Sequence, residues 1–258
     1  MDENRKDATA PASPAVGRRA FVATALRLGG GLVAFLAGVP AGAAEQADYD
    51  WTQHRWAYLV DTTRCIGCGA CVRACRTEND VPGGFFRTWV ERYVVSPEAS
   101  HVDSPRGGLD GFAPIQTPFT PTKSFFVPKI CNHCEETPCV QVCPVGASYR
   151  TRDGVVLVDG ERCIGCGYCV QACPYGSRFL SPETHTAEKC TWCYHRITKG
   201  LRPACVEVCP TGTRRFGNML REDDPVRIAI SKERVSVLQP HLLTEPQCFY
   251  LGLDKEVR

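Results

Sequence analysis

The sequence predicts an α+β fold that consists of two nested cysteine-rich units with loop insertions and a short C-terminal extension. Two observations predict it. Sixteen of the seventeen cysteines in the 258-residue chain fall into four groups of four, and a short hairpin-like sequence lies between the second and third groups. The formal net charge of +2 gives no indication of a nucleic-acid partner bound through its phosphates.

The first element is a predicted export signal over residues 1–43. Arg18 and Arg19 precede an apolar run rich in Gly, Ala and Leu, and residues 41–43 form a small-residue cleavage pattern. The paired arginines resemble a twin-arginine signal, the kind used to export folded proteins. The uncharged run over 28–44 is shorter than the ~20 apolar residues of a membrane span, although a retained, weakly membrane-associated signal is an alternative. We therefore expect export to the periplasm in folded form.

The four cysteine groups carry the main chemical signal. Their members, in chain order, are Cys65, Cys68, Cys71 and Cys75; Cys131, Cys134, Cys139 and Cys143; Cys163, Cys166, Cys169 and Cys173; and Cys190, Cys193, Cys205 and Cys209. The first and third groups have the spacing Cys-x-x-Cys-x-x-Cys-x-x-x-Cys of bacterial two-cluster ferredoxins. In that arrangement three close thiolates wrap one 4Fe-4S cube and the fourth ligates the partner cluster. The sequence therefore predicts four 4Fe-4S clusters.

Residues beside the cysteines fit the same interpretation. Gly67, Gly69, Gly165 and Gly167 lie inside the cysteine loops, where the backbone has to approach the cluster sulfides closely. A proline follows the last cysteine of the second, third and fourth groups, as in the ferredoxin run, whereas the first group has Arg76 there.

Two other uses of the cysteines are alternatives. A disulfide framework suits an exported protein, but disulfides more often join distant segments than residues three apart. A structural zinc site also takes four cysteines, and the fourth group taken alone would pass for one. The first and third groups place three cysteines within seven residues, which fits paired zinc knuckles poorly. Iron–sulfur clusters remain the favoured prediction.

The order of the groups predicts nested pairing. Residues 148–159 indicate a hairpin that turns at Asp153-Gly154, in the centre of a two-cluster unit. The crossover rule of such units then defines four ligand sets. They are set A (Cys65, Cys68, Cys71 and Cys209), set B (Cys190, Cys193, Cys205 and Cys75), set C (Cys131, Cys134, Cys139 and Cys173) and set D (Cys163, Cys166, Cys169 and Cys143).

This nesting predicts how the chain is divided after the signal. The predicted ranges are 54–130 for the first half of the outer unit with an insertion loop, 131–180 for the inner unit, 181–216 for the second half of the outer unit, and 217–258 for the C-terminal extension. Within the first range, residues 85–95 predict a strand. The Pro- and Gly-rich residues 96–122 predict a long surface loop.

Several residues outside the ligand sets are candidates for other roles. His133 could be a ligand, as imidazole is in Rieske sites, but the local thiolates already fill the expected count, so we expect it to be a neighbour. Cys248 precedes a strand-like run and is expected to be a buried, inert thiol. The segment around the fourth group is basic, which suggests tuning of a potential, partner docking or a solvated face. Its basic residues are His195, Arg196, Lys199, Arg202, Arg214 and Arg215.

The four groups, in this order, resemble the four-cluster iron–sulfur subunits of the dimethyl sulfoxide reductase family. The resemblance is greatest to the exported subunits of formate-dependent nitrite reductase and polysulfide reductase systems. It covers roughly residues 54 to 253, including WAYLVDTTRCIGCGACVRACRTEND, AEKCTWCYHRI, LRPACVEVCPTGTRRFGN and PQCFYLGLD. Some relatives replace one cysteine of the third group with Trp and hold a three-iron cluster. The presence of Cys166 implies four cubane clusters here.

The resemblance implies an electron-transfer subunit of a membrane-associated periplasmic oxidoreductase complex. Its implied partners are an integral quinone-reactive subunit and a catalytic subunit that contains molybdopterin or is a multihaem cytochrome. Set D would lie at the membrane end and set A would face the other partner. A free ferredoxin shuttle is the rival function, although such shuttles are usually much smaller. The sequence contains no nucleophile–base constellation and no general-acid pair, so we predict no catalytic residue in this chain.

Overall fold

Short strands and short helices alternate along the cysteine-rich sequence in the computed structural model, which describes residues 49–257. The strands are β1 (Trp56–Asp61), β2 (Thr88–Val95), β3 (Ser100–Asp103), β4 (Lys123–Ile130), β5 (Ser148–Arg150), β6 (Val156–Val158), β7 (Arg178–Leu180), β8 (Ala187–Lys189), β9 (Arg214–Asn218), β10 (Val235–Ser236) and β11 (Cys248–Leu251). The α-helices are α1 (Ala70–Glu78), α2 (Pro138–Gln141), α3 (Tyr168–Gln171), α4 (Tyr194–Ile197), α5 (Ala204–Glu207) and α6 (Pro225–Lys232). The predicted α+β class is confirmed, while the predicted signal over 1–43 lies outside the described residues.

A four-stranded sheet in the order β10-β11-β1-β9 joins the two ends of the described chain. Strand β1 runs parallel to β11 and antiparallel to β9, so Tyr58 has Cys248 on one side and Phe216 on the other. Its side chains alternate between two cores. Ala57 and Leu59 pack towards α6, whereas Tyr58 and Val60 belong to the core that contains the cysteines. Because both faces are covered, β1 is a nearly continuous apolar run.

The insertion between the first two cysteine groups is a three-stranded antiparallel sheet in the order β3-β2-β4. The strand predicted within residues 85–95 is confirmed as β2. The prediction of a long surface loop over 96–122 is wrong in part, because this segment contains strand β3, followed by a turn at Pro105–Gly108 in which Arg106 and Gly107 have positive φ. Strand β3 is an exposed edge strand without apolar alternation, so its sequence carries no strand signal. Its backbone pairing with β2 and the Arg92–Asp103 ion pair at 2.7 Å hold it in place.

Two small hairpins follow the second and third cysteine groups. Strands β5 and β6 form the predicted hairpin, with Ser148 opposite Val158, and its turn contains Gly154 at φ +95°. Strands β7 and β8 form the other hairpin, with Arg178 opposite Lys189. No helix within residues 49–257 combines the length and the apolar character needed to cross a bilayer.

Candidate iron–sulfur sites

The third cysteine of every group lies in the first turn of a helix. Cys71, Cys139, Cys169 and Cys205 are each the second residue of their helix, in α1, α2, α3 and α5. The N–H groups of a first helical turn have no partner within the helix and favour negative charge nearby. The fourth cysteine of each group follows four residues later, about one turn on. The last two cysteines of a group are therefore separated by about 6 Å along the helix direction, which allows them to reach different sites.

Cavities bring cysteines of different groups together. One cavity is lined by all four cysteines of set C, a second by those of set A, and a third by those of set B. Each cavity therefore combines three cysteines of one group with the last cysteine of another. All seventeen cysteines lie within the described residues and are free thiols.

The cysteines of set D lie around two helices that pack against each other, α2 and α3. Cys143 follows α2, and its Sγ accepts a hydrogen bond from the backbone N–H of Ser148 at 3.5 Å. Cys163 precedes α3, and its Sγ accepts one from the N–H of Ala187 at 3.3 Å. Such N–H donors stabilise negative charge on sulfur.

Left-handed backbone shapes the two loops with CIGCG sequences. Gly67 and Gly69 have φ of +68° and +71°, and Gly165 and Gly167 have φ of +69° and +76°. A Cβ on Gly69 would lie 2.3 Å from the carbonyl oxygen of Gly108. Glycine is therefore required at that position both by its backbone conformation and by the close approach of another segment.

The thiols differ in how readily they lose a proton. Burial raises the pKa of Cys65 to about 11 and that of Cys134 to about 12. At Cys143, burial acts in the same direction, but the backbone N–H groups of Ser148, Val145 and their neighbours outweigh it, so the pKa is lowered. A bound metal deprotonates even a buried thiol, so the buried thiols fit metal ligation.

His133 and Trp192 form an aromatic contact between two cavities. Their rings stack with centroids 4.0 Å apart, and His133 lines the set C cavity whereas Trp192 lines the set B cavity. His133 is fully buried, and its Nδ1 accepts a hydrogen bond from the N–H of Val156 at 3.0 Å. The ring therefore packs beside the set C cavity. Trp192 was not singled out from the sequence, because only the fold brings it against His133.

The basic segment around the fourth group does not form one surface. Arg214 is only 2 % exposed, which excludes for this residue the solvated face, one of the three roles suggested for the segment. His195 and Arg196 both contact Glu78, at 2.7 and 3.0 Å, so they join this segment to α1. Cys248 is fully buried on β11, as predicted. The buried Arg178 and Lys189 were not singled out from the sequence, since nothing in their local patterns distinguishes them from surface cations.

Cysteine loops, short helices and intervening hairpins define a ferredoxin-like iron–sulfur protein. Two family models described as 4Fe-4S dicluster domain match the chain, one over residues 64–147 and the other over residues 122–219. The chain belongs to the family of ferredoxin-like iron–sulfur subunits of the dimethyl sulfoxide reductase type, as the sequence predicts. It is therefore a 4Fe-4S protein.

Similar proteins come from bacteria and archaea. A tetrathionate reductase subunit of Salmonella typhimurium is 45% identical over 206 residues, which are 78% of this chain and 74% of the relative. The thiosulfate reductase electron transfer subunit PhsB of Salmonella typhi is 45% identical over 64% of this chain and 77% of its own length. A putative iron–sulfur subunit of dimethyl sulfoxide reductase from Halobacterium salinarum is 38% identical over 75% and 78%. By name, all three are reductase subunits.

Proposed function

We propose that the chain binds four 4Fe-4S clusters through sets A, B, C and D and passes electrons along them. The observation that carries this proposal is that three cavities are each lined by four cysteines drawn from two groups. Thiolate sulfur is the donor that such clusters take, and a bound cluster supplies one-electron transfer. A single zinc ion would draw four sulfurs to about 2.3 Å from one point and leave no comparable cavity.

Helices that are shared between neighbouring ligand sets support a linear order A, B, C, D for the four clusters. Helix α1 contributes Cys71 to set A and Cys75 to set B. Helix α2 contributes Cys139 to set C, and Cys143 of set D follows it. The His133–Trp192 stack lies between the cavities of sets B and C. Each neighbouring pair of sites is thus joined by one short element or one aromatic contact.

The ligand sets at the two ends of this order of clusters, A and D, each include an exposed cysteine, which supports contact with partner subunits at both ends. Cys68 of set A and Cys166 of set D are exposed, whereas no cysteine of sets B and C is. Ile66 and Ile164, beside them, are 60 % and 64 % exposed. Electrons would therefore enter at one end of the chain of clusters and leave at the other.

We further propose that this relay works in a membrane-associated periplasmic oxidoreductase complex. An integral quinone-reactive subunit would contact the set D end, and a molybdopterin-containing or multihaem subunit the set A end. The names of the relatives support a reductase complex, and the twin-arginine-like sequence at residues 1–43 supports export in folded form.

Iron and sulfide analysis tests the cluster proposal. We expect the anaerobically reconstituted full chain to contain about sixteen iron and sixteen sulfide, four of each per ligand set. Its broad visible absorbance is expected to bleach on reduction with dithionite. The same protein refolded with zinc alone serves as the control and is expected to stay colourless. A folded, colourless native preparation that contains zinc would overturn the proposal.

Extraction of native membranes tests the assignment to a complex. We expect the chain to co-purify with an integral membrane protein after solubilisation in mild detergent, and to be released by treatment that dissociates peripheral subunits. A matched preparation in which the chain carries the same tag but is expressed without its genomic neighbours provides the control. A native chain that elutes as an iron-loaded monomer under both conditions would instead support the free-shuttle alternative.

A further inference from the structure

Within the described residues, two arginines are buried without a carboxylate partner. Arg178 and Arg214 are 5 % and 2 % exposed, and among residues 49–257 neither forms an ion pair with Asp or Glu. Arg178 Nη2 and Arg214 Nε also lack a hydrogen-bond partner among these residues. A guanidinium remains charged in proteins, and its burial is unfavourable unless a negative charge lies close by. The protein must therefore supply an anion of another kind.

The two arginines occupy the same position of a repeated sequence. CPYGSR ends at Arg178 and CPTGTR ends at Arg214, five residues after the last cysteine of the third and fourth groups. Each is the first residue of a strand, β7 or β9, and follows a glycine turn with positive φ. The corresponding segment after the second group, CPVGAS, ends at Ser148, the first residue of β5. The repeat therefore places equivalent side chains in the two units.

Arg214 lies between the sites of sets A and B. It lines the set A cavity. Its Nη1 donates to the hydroxyl of Tyr58 at 3.4 Å, and that hydroxyl lies 3.2 Å from Sγ of Cys205 in set B. Its Nη2 donates to Thr88 Oγ1 at 2.8 Å, and Thr88 lines the set B cavity. The guanidinium thus contacts groups that belong to both sites.

Arg178 has the same relation to the sites of sets C and D. It lines the set C cavity, and its Nη1 donates to Ser148 Oγ at 2.8 Å. The backbone N–H of Ser148 in turn donates to Sγ of Cys143, a member of set D. The guanidinium of Arg178 therefore lies beside the set C site and, through Ser148, is connected to Cys143 of set D.

We propose that Arg214 and Arg178 are potential-setting residues, each placed between the two clusters of one unit and each raising the reduction potentials of both. The inference rests on the proposed function. Every electron taken up adds negative charge to a cluster, and a fixed cation in a medium of low dielectric constant stabilises the reduced form. Because one guanidinium serves two clusters, it also weakens the repulsion between them when both are reduced. The clusters in turn supply the anionic charge that the buried arginines need.

Potentiometric titration followed by electron paramagnetic resonance tests this on the full chain with its clusters. We expect Arg214→Met to lower the potentials of two clusters and to leave the other two unchanged. Arg178→Met is expected to lower the potentials of the complementary pair. The expected shift is at least tenfold in the reduction equilibrium constant, about 59 mV for a one-electron couple. Arg214→Lys and Arg178→Lys retain the charge and are expected to keep potentials near those of the wild type.

Arg202→Met is the control for removal of an arginine near the fourth group, because Arg202 is exposed, and we expect no shift. Iron content is measured first for every variant. Full loading of both Met variants with unchanged potentials would overturn the inference while leaving the cluster proposal intact. If a Met variant loses iron, the Lys variant at the same position distinguishes charge from packing. Full iron loading with wild-type potentials in the Lys variant supports the role of the charge. Continued loss of iron in the Lys variant assigns the guanidinium a packing role and overturns the inference. A wild-type chain without iron would instead reject the proposed function.

Discussion

Replacement of Cys173 with alanine is expected to remove one whole cluster from the protein. Cys173 lines the same cavity as Cys131, Cys134 and Cys139, although its own group is the third. The iron content is then expected to fall by a quarter, from about sixteen to about twelve per chain, because a cubane holds four iron atoms. Iron analysis and the number of spins in the fully reduced protein measure this loss.

Double variants reveal which cysteines share a cluster. Cys131→Ala combined with Cys173→Ala is expected to lose no more iron than either single variant, because both changes affect set C. Cys163→Ala combined with Cys173→Ala is expected to lose two clusters, since Cys163 belongs to set D. Non-additive loss between residues of one functional unit is the signature of that sharing. The reverse pattern would show that each sequence group holds its own cluster and would reject the crossover.

Cys248→Ala is the matched control for these variants. Cys248 is fully buried, more so than any cysteine of the three cavities, and its pKa is raised to about 12 by burial, yet it lies on β11 in the sheet with β1. We expect this variant to retain all its iron. Loss of iron from it would show that iron content reports general damage to the core rather than ligation.

The cysteine groups and the hairpin at residues 148–159 are predictable because their signals are local. A thiolate every third residue fixes a loop, and Asp-Gly fixes a turn, without knowledge of the rest of the chain. The parallel pairing of β11 with β1 joins residues about 190 positions apart, as at Tyr58 and Cys248. Such pairing depends on the assembled core, so the sequence predicts a C-terminal extension over 217–258 but not its pairing with β1.

Buried charge was the least predictable part of the candidate sites. Arg214 and Arg215 are neighbours in a basic segment, but β9 turns the first inwards and leaves the second half-exposed, beside Asp61 at 3.1 Å. Alternation along a strand determines this difference. The strand itself is short and carries no apolar pattern, so composition indicated a surface. The repeated CP-x-G-x-R segments are the one sequence signal that could have marked Arg178 and Arg214 as equivalent.

A comparison of Gly69 with Gly167 measures how much the insertion between the first two cysteine groups contributes to stability. The two glycines occupy the same position of the two CIGCG loops, with φ, ψ of +71°, −2° and +76°, −2°. Alanine in this left-handed conformation costs about 1–2 kcal/mol at either position. At Gly69 the added Cβ would also lie 2.3 Å from the carbonyl oxygen of Gly108 and 2.5 Å from that of Leu109, whereas at Gly167 it would meet only Leu180 Cδ1 at 3.7 Å. Only the substitution at Gly69 forces two backbone segments apart.

We therefore expect Gly69→Ala to lower the free energy of unfolding by about 1–3 kcal/mol more than Gly167→Ala, the usual cost of overpacking. Urea unfolding of the iron-loaded protein, followed by the cluster absorbance, measures both variants under the same conditions. Because the segment at Gly108 belongs to the insertion between the first two groups, displacing it is expected to weaken the set A site first. The site at set D then acts as an internal reference. An equal decrease in the free energy of unfolding for the two variants would show that the segment at Gly108 can move away without an energetic penalty. The left-handed backbone conformation would then be the whole reason for glycine in these loops.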